Sequence, residues 1–404
     1  MPKEPLSGFF ESFLRKDSLF VNKRALQASY MPEEVPHREE QIKEIALILA
    51  PALRLERPSN LFIYGRTGSG KTLSARKTTE RLAKVALQSE LPVRTVYVNC
   101  KLKGIADTEY RLIAHLAREF GKAIPATGLP TDEVYRSFLE GIDTKQVVIF
   151  VLDEIDQLVK KAGDEILYNL TRINEELKHC QVSIVGISND LQFVTNLDPR
   201  VKSSLSEEEI VFPPYNALQL QGILKSRAKL AFKEGVLSEG VIEKCAAYAA
   251  RDHGDARKAL ELLRVAGELA EREGSKKVNL EHLDKAEDKI DRDRIIDIVN
   301  VQPKQFQAVL YSAVLIKIKE PKKEIIFTGE LYNYYKDICK KSRLRPLTQR
   351  RVSDVITELD SLSLVSARII SKGRYGRTRE IILSIPDSSI PVVKKMLEES
   401  LSIR

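Results

Sequence analysis

The sequence predicts an α/β chain: a parallel five-stranded sheet with helices on both faces, then an all-helical region, then a basic domain of helices and a β-hairpin. Three observations predict it. Between Asn60 and Phe212, short β-branched-rich runs without alternation recur between helical stretches, as strands covered on both faces should. From Ala217 to about Ile290 the apolar spacing is helical throughout. The positive charge is concentrated at the end, where residues 300–404 hold 20 Lys+Arg and 11 Asp+Glu. The other residues hold 45 basic and 46 acidic side chains, so the net +8 of the chain lies in its last quarter.

The expected strands are Leu61–Tyr64, Arg94–Asn99, Val147–Leu152, Ser183–Ile187 and Ile210–Phe212. A helix from about Glu39 to Leu53 precedes them, after the extended Tyr30–Arg38 with its two prolines. The long gap between the second and third strands carries two helical segments, about Asp107–Phe120 and Thr131–Leu139. A plain crossover needs one, so about 101–140 reads as an insertion. Pro213-Pro214-Tyr215 closes the sheet domain, expected over residues 1–215. Four helices follow in 216–292, at Ala217–Phe232, Ser238–Arg251, Asp255–Glu273 and Leu280–Asp288. The charged Lys285–Arg294 run leads to a third domain, 300–404.

Composition excludes several classes. No stretch approaches the length of a membrane span, and no basic segment followed by an apolar run opens the sequence, so no membrane partner and no secretion signal are expected. The four cysteines are far apart and form no C-x-x-C pair, which argues against zinc or a disulfide framework and suits a reducing cytoplasm.

The sharpest motif is Gly65-Arg66-Thr67-Gly68-Ser69-Gly70-Lys71-Thr72, which fits G-x-x-x-x-G-K-[ST] at every specified position. It follows an expected strand and opens a helix, Leu73–Leu87. A glycine-rich turn there lets backbone N–H groups surround phosphate oxygens, and the helix N-terminus adds positive dipole. Lys71 would reach the outer phosphates, and the Thr72 hydroxyl would ligate Mg2+. The third strand ends in Leu152-Asp153-Glu154: Asp153 would hold the metal and Glu154 would activate the attacking water. Asn189, at the tip of the fourth strand, either bonds the water or the phosphate or is a turn asparagine. Arg200, on the loop after it, either reaches a phosphate, its own or a neighbouring subunit's, or forms a surface ion pair. Asp255 would cap the third helix of the all-α region, and Arg257 in its first turn would close on the nucleotide if these helices fold over the sheet. Leu73 and Tyr215 complete the expected nucleotide contacts.

In the basic domain, helices are expected at Phe306–Val314, Glu330–Lys340 and, capped by Thr348, up to Leu362. Strands at Val365–Ser371 and Arg379–Ile385 follow, and this order makes a winged helix. The third helix buries Val352, Val355, Ile356 and Leu359, and presents Arg350, Ser353 and Thr357 on the opposite face, where they have the chemistry to touch base edges. At the hairpin tip Lys372, Arg374, Arg377 and Arg379 surround Gly373, Gly376 and Tyr375, a pattern suited to neutralising phosphates or entering a minor groove. Asp354, on the exposed face, would oppose the DNA backbone.

Taken together, the loop, the DE strand, the Asn strand, the arginine loop and the helical region with Arg257 resemble the AAA+ ATPases: Walker A, Walker B, sensor 1, arginine finger and sensor 2. More narrowly, Val35–Glu39, Val151–Asp156, Asp198–Leu205 and Gly254–Ala259 resemble the archaeal replication initiators related to the origin-recognition complex and its cell-division-control homologue. That resemblance implies an AAA+ domain with a helical lid, an adenine pocket lined by Val35, Pro36, His37 and Arg38, and DNA-contacting helices in the insertion. It implies ATP/ADP and Mg2+ as cofactors, and a weak ATPase whose hydrolysis acts as a switch. The partners it implies are double-stranded origin DNA, other initiator copies or paralogues, and the replicative helicase, in a cytoplasmic, nucleoid-associated setting. The alternative of a different class is an AAA+ winged-helix regulatory ATPase acting at promoter-like sites.

Overall fold

The structure is a computed structural model that describes residues 17–102, 104–125, 128–193, 196–205, 207–371 and 377–403. The chain divides into two compact units, Met1–Leu283 and Asp284–Arg404.

In the first unit β1 (Leu61–Gly65), β2 (Val93–Asn99), β3 (Val147–Asp153), β4 (Gln181–Ser188) and β5 (Glu208–Phe212) form one sheet in the order β2-β3-β4-β1-β5. Every pair is parallel. Register lines up the strand tips: Asn99 lies opposite Asp153, Asp153 opposite Ile187, and Tyr64 opposite Ser188. Ligands of such sheets bind at this carboxyl edge. The lack of alternation has a direct cause. In β3, Val148, Phe150 and Leu152 enter one core with Leu112, Phe138 and Leu167, while Val147, Ile149 and Val151 enter another with Ile45, Ala75 and Leu82.

The helices α1 (Glu39–Leu49) and α2 (Lys71–Gln88) cover the second face. The chain after α1 tightens into a 3-10 turn at Ala50–Arg54, where Pro51 lacks the N–H an α-helix needs. The inserted helices are α3 (Glu109–Glu119) and α4 (Thr131–Ile142). Both pack into the core of the sheet domain through Leu112, Leu116, Val134 and Phe138. Around α3, Arg111 and Lys161 both pair with Asp107, at 3.0 and 2.9 Å, while Lys103 lies outside the described residues. Three short helices went unanticipated: α5 (Ile155–Ala162), α6 (Glu165–Arg172) and α7 (Pro199–Leu205). Seven or eight residues give too few turns for a periodic signal.

The helical part contains α8 (Ala217–Ala231), opened by an Asn216/Gln219 capping box, then α9 (Val241–Arg251) and α10 (Ala256–Glu273). The fourth helix, α11 (Leu280–Asn300), absorbs the charged Lys285–Arg294 run. The segment before Arg38 is anchored on these helices. Phe20 stacks on Phe232 at 4.6 Å, Val21 N–H donates to Ala231 O at 2.8 Å, and Lys23 pairs with Glu268 at 2.7 Å. Gly267 makes room: a Cβ there would stand 2.5 Å from the Phe20 ring and 2.8 Å from Phe232.

In the second unit α12 (Lys304–Lys319), α13 (Thr328–Lys341) and α14 (Gln349–Ser361) precede β7 (Val365–Ser371) and β8 (Arg377–Leu383). Thr348 caps α14 by accepting from Arg351 N–H at 3.4 Å. The expected order of three helices and a hairpin is present. Two elements are added: β6 (Ile326–Phe327), which pairs with β8, and α15 (Ile390–Leu401), which packs Val393 and Leu397 into the core.

Glycine-to-alanine changes in helix interiors ordinarily stabilise by roughly 0.5–1 kcal/mol. Gly267→Ala is expected to do the opposite, destabilising the protein by about 1–3 kcal/mol through overpacking against two rings. Denaturant midpoints of the two proteins check the sign.

Candidate functional site

The phosphate-loop motif forms the turn between β1 and α2. Gly68 and Gly70 adopt φ of 75° and 93°, the left-handed region open to glycine. Both also sit under other groups. A Cβ on Gly70 would lie 2.6 Å from the Tyr215 hydroxyl, and one on Gly68 would run into the Asp255 carboxylate. Asp255 caps α10 by accepting from Arg257 N–H at 2.8 Å, and Ala256 N–H donates to Gly68 O at 3.3 Å. The first turn of α10 therefore rests on the loop itself.

Lys71 is buried, and its Nζ donates to Gly65 O at 2.7 Å and Arg66 O at 2.8 Å. Burial, then the nearby Arg257 charge, pulls its pKa down to about 8. Thr72 Oγ1 donates to Asp153 Oδ2 at 2.9 Å. The same oxygen accepts from the Tyr97 hydroxyl at 2.6 Å, and Asp153 Oδ1 accepts from Glu154 N–H at 2.9 Å. An adjacent hydroxyl and carboxylate are hard oxygen donors in the small number that Mg2+ takes from protein when phosphates and water supply the rest, so these residues fit that ion. Glu154 follows at φ 54°, ψ 45°, a left-handed backbone costly for a side-chain-bearing residue, and its Oε2 lies 3.6 Å from Lys101 Nζ.

Behind the loop lies Arg38, only 2% exposed. Its Nε donates to Ser69 O at 2.8 Å and its Nη2 donates to Pro213 O. Its guanidinium stands 3.9 Å from the Tyr215 ring centre and 5.5 Å from that of Phe212. Burial lowers its pKa, an effect opposed by Tyr215 and Glu39.

A cavity of about 410 Å³ opens between the loop and the helical part. Of the expected contacts, Val35, Pro36, Gly68, Gly70, Lys71, Thr72, Leu73, Tyr215 and Arg257 line it. Gly65, Thr67 and Ser69 belong to the turn but not to the wall. The expected four-residue adenine wall divides in two. Val35 and Pro36 face the cavity, whereas Arg38 turns away to the loop backbone. His37, at φ 62°, packs against Gly222, where a Cβ would sit 2.5 Å from its Nε2. Wall residues that sequence reasoning missed include Tyr30, Met31, Arg76, Ile223 and Arg227. Ile223 and Arg227 are one turn apart on α8, a spacing indistinguishable from ordinary core packing. Arg227 lies over Tyr30 at 4.5 Å and donates to its carbonyl at 3.3 Å.

Asn189 stands just beyond β4, and its side chain makes no hydrogen bond among the described residues. Next to it, Ser188 Oγ donates to the buried Asp156 at 3.2 Å. Arg200 is not in the cavity wall. Its side chain is 68% exposed and is bound to Asp198 at 3.0 Å, over the Tyr168 ring at 5.1 Å.

In the second unit α14 exposes Arg350 and Thr357, with Ser353 half-buried. Arg379 Nη1 donates to Thr357 Oγ1 at 2.6 Å, fastening β8 to the helix. Asp354 is offset by Arg351 at 3.7 Å. Lys372, Gly373, Arg374 and Tyr375 lie outside the described residues, as does the Arg377 side chain.

Comparison with known proteins follows the same division of the chain. Family models match as an AAA domain over residues 54–194, a Cdc6 AAA+ ATPase-type lid domain over 221–288 and a CDC6 C-terminal winged helix domain over 297–391. An ORC1-type DNA replication protein of Pyrococcus horikoshii is 53% identical over 94% of this chain and 91% of its own length. One from Methanosarcina acetivorans is 51% identical over 95% and 92%. Among solved structures, the Aeropyrum pernix ORC1 protein in complex with DNA aligns with TM-score 0.80 and 44% identity, covering 95% of this chain and 98% of that one.

Two outcomes are expected of this geometry. Arg38→Ala strands two carbonyls and two aromatic faces, and should lower stability by about 2–4 kcal/mol while weakening nucleotide binding at least tenfold, read by thermal melting and titration. Lys71, being neutralised near pH 8, should gain acylation reactivity through that pH, whereas exposed lysines gain it near 10.4. Competitive labelling across pH, read by mass spectrometry, checks this.

Proposed function

The chain belongs to the family of ORC1-type DNA replication proteins, and on that premise we propose that a bound Mg-ATP governs how it grips and deforms duplex origin DNA. It is an AAA+ replication initiator. The observation that carries the reading is the seating of α10 on the phosphate loop through Gly68, Asp255 and Ala256, with Arg257 in the cavity wall. A ligand with a γ-phosphate would meet Lys71 and Arg257 at once, so loss of that phosphate would loosen the lid from the loop.

Within the site, the loop N–H groups and Lys71 bind phosphate oxygens, and Thr72 and Asp153 hold Mg2+. Bound there, the ion would supply charge neutralisation on the phosphates. Glu154 accepts a proton from the attacking water, and Asn189 orients that water. Turnover is slow and serves to reset the complex. Arg200, exposed and paired with Asp198 outside its own cavity, would serve a neighbouring copy on DNA.

On the nucleic acid, α14 would enter the major groove, with Arg350, Ser353 and Thr357 at base edges. Arg379 and the tip residues Lys372, Arg374, Tyr375 and Arg377 would follow the backbone and minor groove, with Gly373 allowing close approach. The inserted helices form a second contact with the duplex. Recruitment of the replicative helicase is the output.

Footprinting on origin DNA with and without ATP tests the coupling. Wild type should protect a site whose extent changes with ATP. The Arg374→Ala/Arg377→Ala variant should bind more weakly, with the salt slope reduced by about two. Glu154→Gln should keep ATP affinity and lose about a hundredfold or more in turnover. Protection confined to promoter-like sites, indifferent to ATP, would overturn the reading in favour of a regulatory DNA-binding ATPase.

A further inference from the structure

Tyr97 makes a contact at this site that no local pattern foretells. It lies on β2 opposite Val151, and so shares a sheet face with Val151 and with Asp153 two residues on. From there its hydroxyl donates to Asp153 Oδ2 at 2.6 Å, on the oxygen that also accepts from Thr72 at 2.9 Å. Its ring is held from the other side by α2, where the Arg76 guanidinium stands 4.4 Å from the ring centre. Arg76 itself lines the nucleotide cavity.

Asp153 is 4% exposed. Among the described residues it forms no ion pair, and Lys71 is spent on loop carbonyls. A buried carboxylate of this kind must be compensated by hydrogen-bond donors. Three serve it: the Thr72 hydroxyl, the Tyr97 hydroxyl and the Glu154 N–H. Thr72 belongs to the first turn of α2 and the Glu154 N–H to the adjoining peptide. Tyr97 fixes the carboxylate from a neighbouring strand, through a ring that packs against Arg76.

We propose that Tyr97 is a positioning residue for the metal: its hydroxyl restrains the Asp153 carboxylate that would take part in holding Mg2+ with the nucleotide. Tyr97 does not touch the ion. It sets where the carboxylate oxygens lie, and the bond it makes limits their rotation when phosphates and water complete the shell. The proposal rests on the Mg-ATP reading of the cavity, and goes beyond it in assigning a residue outside the recognised motifs to the metal's affinity.

Tyr97→Phe removes the hydroxyl and keeps the ring under Arg76. The test is the affinity of the full-length protein for a fluorescent ATP analogue, measured in excess MgCl2 and again in EDTA. Mn2+ binding in the presence of ATP, read by electron paramagnetic resonance, is the second measurement. In the wild type Mg2+ should tighten binding. In Tyr97→Phe the affinity with Mg2+ should fall roughly fivefold to tenfold, as expected for losing a bond to a charged group, with less than a twofold change in EDTA. Mn2+ affinity should fall in parallel. In an Asp153→Asn background the Tyr97→Phe change should have no further effect on the metal-dependent component. Equal losses with and without metal would reduce Tyr97 to a packing role and overturn the proposal, as would unchanged affinity in both. If Tyr97→Phe proves unstable, Tyr97→His, which retains a donor on a ring, takes its place: it should keep more metal dependence than Tyr97→Leu, and equality of the two would overturn the proposal. A wild type that binds no nucleotide in either condition would instead sink the reading of the cavity.

Discussion

The nucleotide site depends on a buried cation at its back. Arg38 joins three pieces of chain that share no strand: the segment entering from the helical part, the phosphate loop at Ser69, and the exit of β5 at Pro213. Removing a guanidinium from water is costly, and the cost is offset only because carbonyl acceptors and the faces of Tyr215 and Phe212 surround it. Those same groups fix the loop. Tyr215 lies over Arg38 and places its hydroxyl against Gly70, so the position of the loop glycines follows from the position of the arginine.

A second constraint is register. Because β3 pairs with both β2 and β4, the tips Asn99, Asp153 and Ile187 line up, and the residues just beyond them emerge along one edge. Glu154, Asn189 and Lys101 stand along that edge for that reason. The loop after β1 enters from between β4 and β5, which puts Thr72 next to Asp153 across the sheet. The lid reaches the same edge by resting α10 on Gly68, so the cavity has one wall from the phosphate loop, the start of α2 and the segment before Arg38, and one from α8 and α10.

Much of this was legible from local pattern. The five strands, the loop, the acidic tip of β3 and the order of the basic domain announce themselves because each combines a period with a stop signal: β-branched runs, a glycine-rich turn, a capping threonine. Arg38 was legible only as part of a resemblance, and its role was misplaced. Nothing local tells whether an arginine two residues after a proline faces a ligand or turns inward onto carbonyls. Tyr97, Ile223 and Arg227 carried no signal, since a tyrosine in a strand or an isoleucine in a helix looks the same whether it lines a cavity or a core. Helix α11 continues through the charged Lys285–Arg294 run, whose alternating charges suit a solvated linking helix, and extends on to Asn300. The short α5, α6 and α7 owe their form to burial of Leu158, Leu167 and Val201 in the sheet's core rather than to their own sequences.

The left-handed backbone at Glu154 sets a quiet opposition between durability and chemistry. Glycine or asparagine would occupy φ 54° with less strain, yet neither could draw a proton from water. A change chosen for heat resistance alone would therefore exchange this glutamate, and on the role proposed for Glu154 the resulting molecule would be tougher and hydrolytically mute. A carboxylate at so unfavourable a torsion marks a place where the proposed chemistry would outweigh the strain it costs the fold.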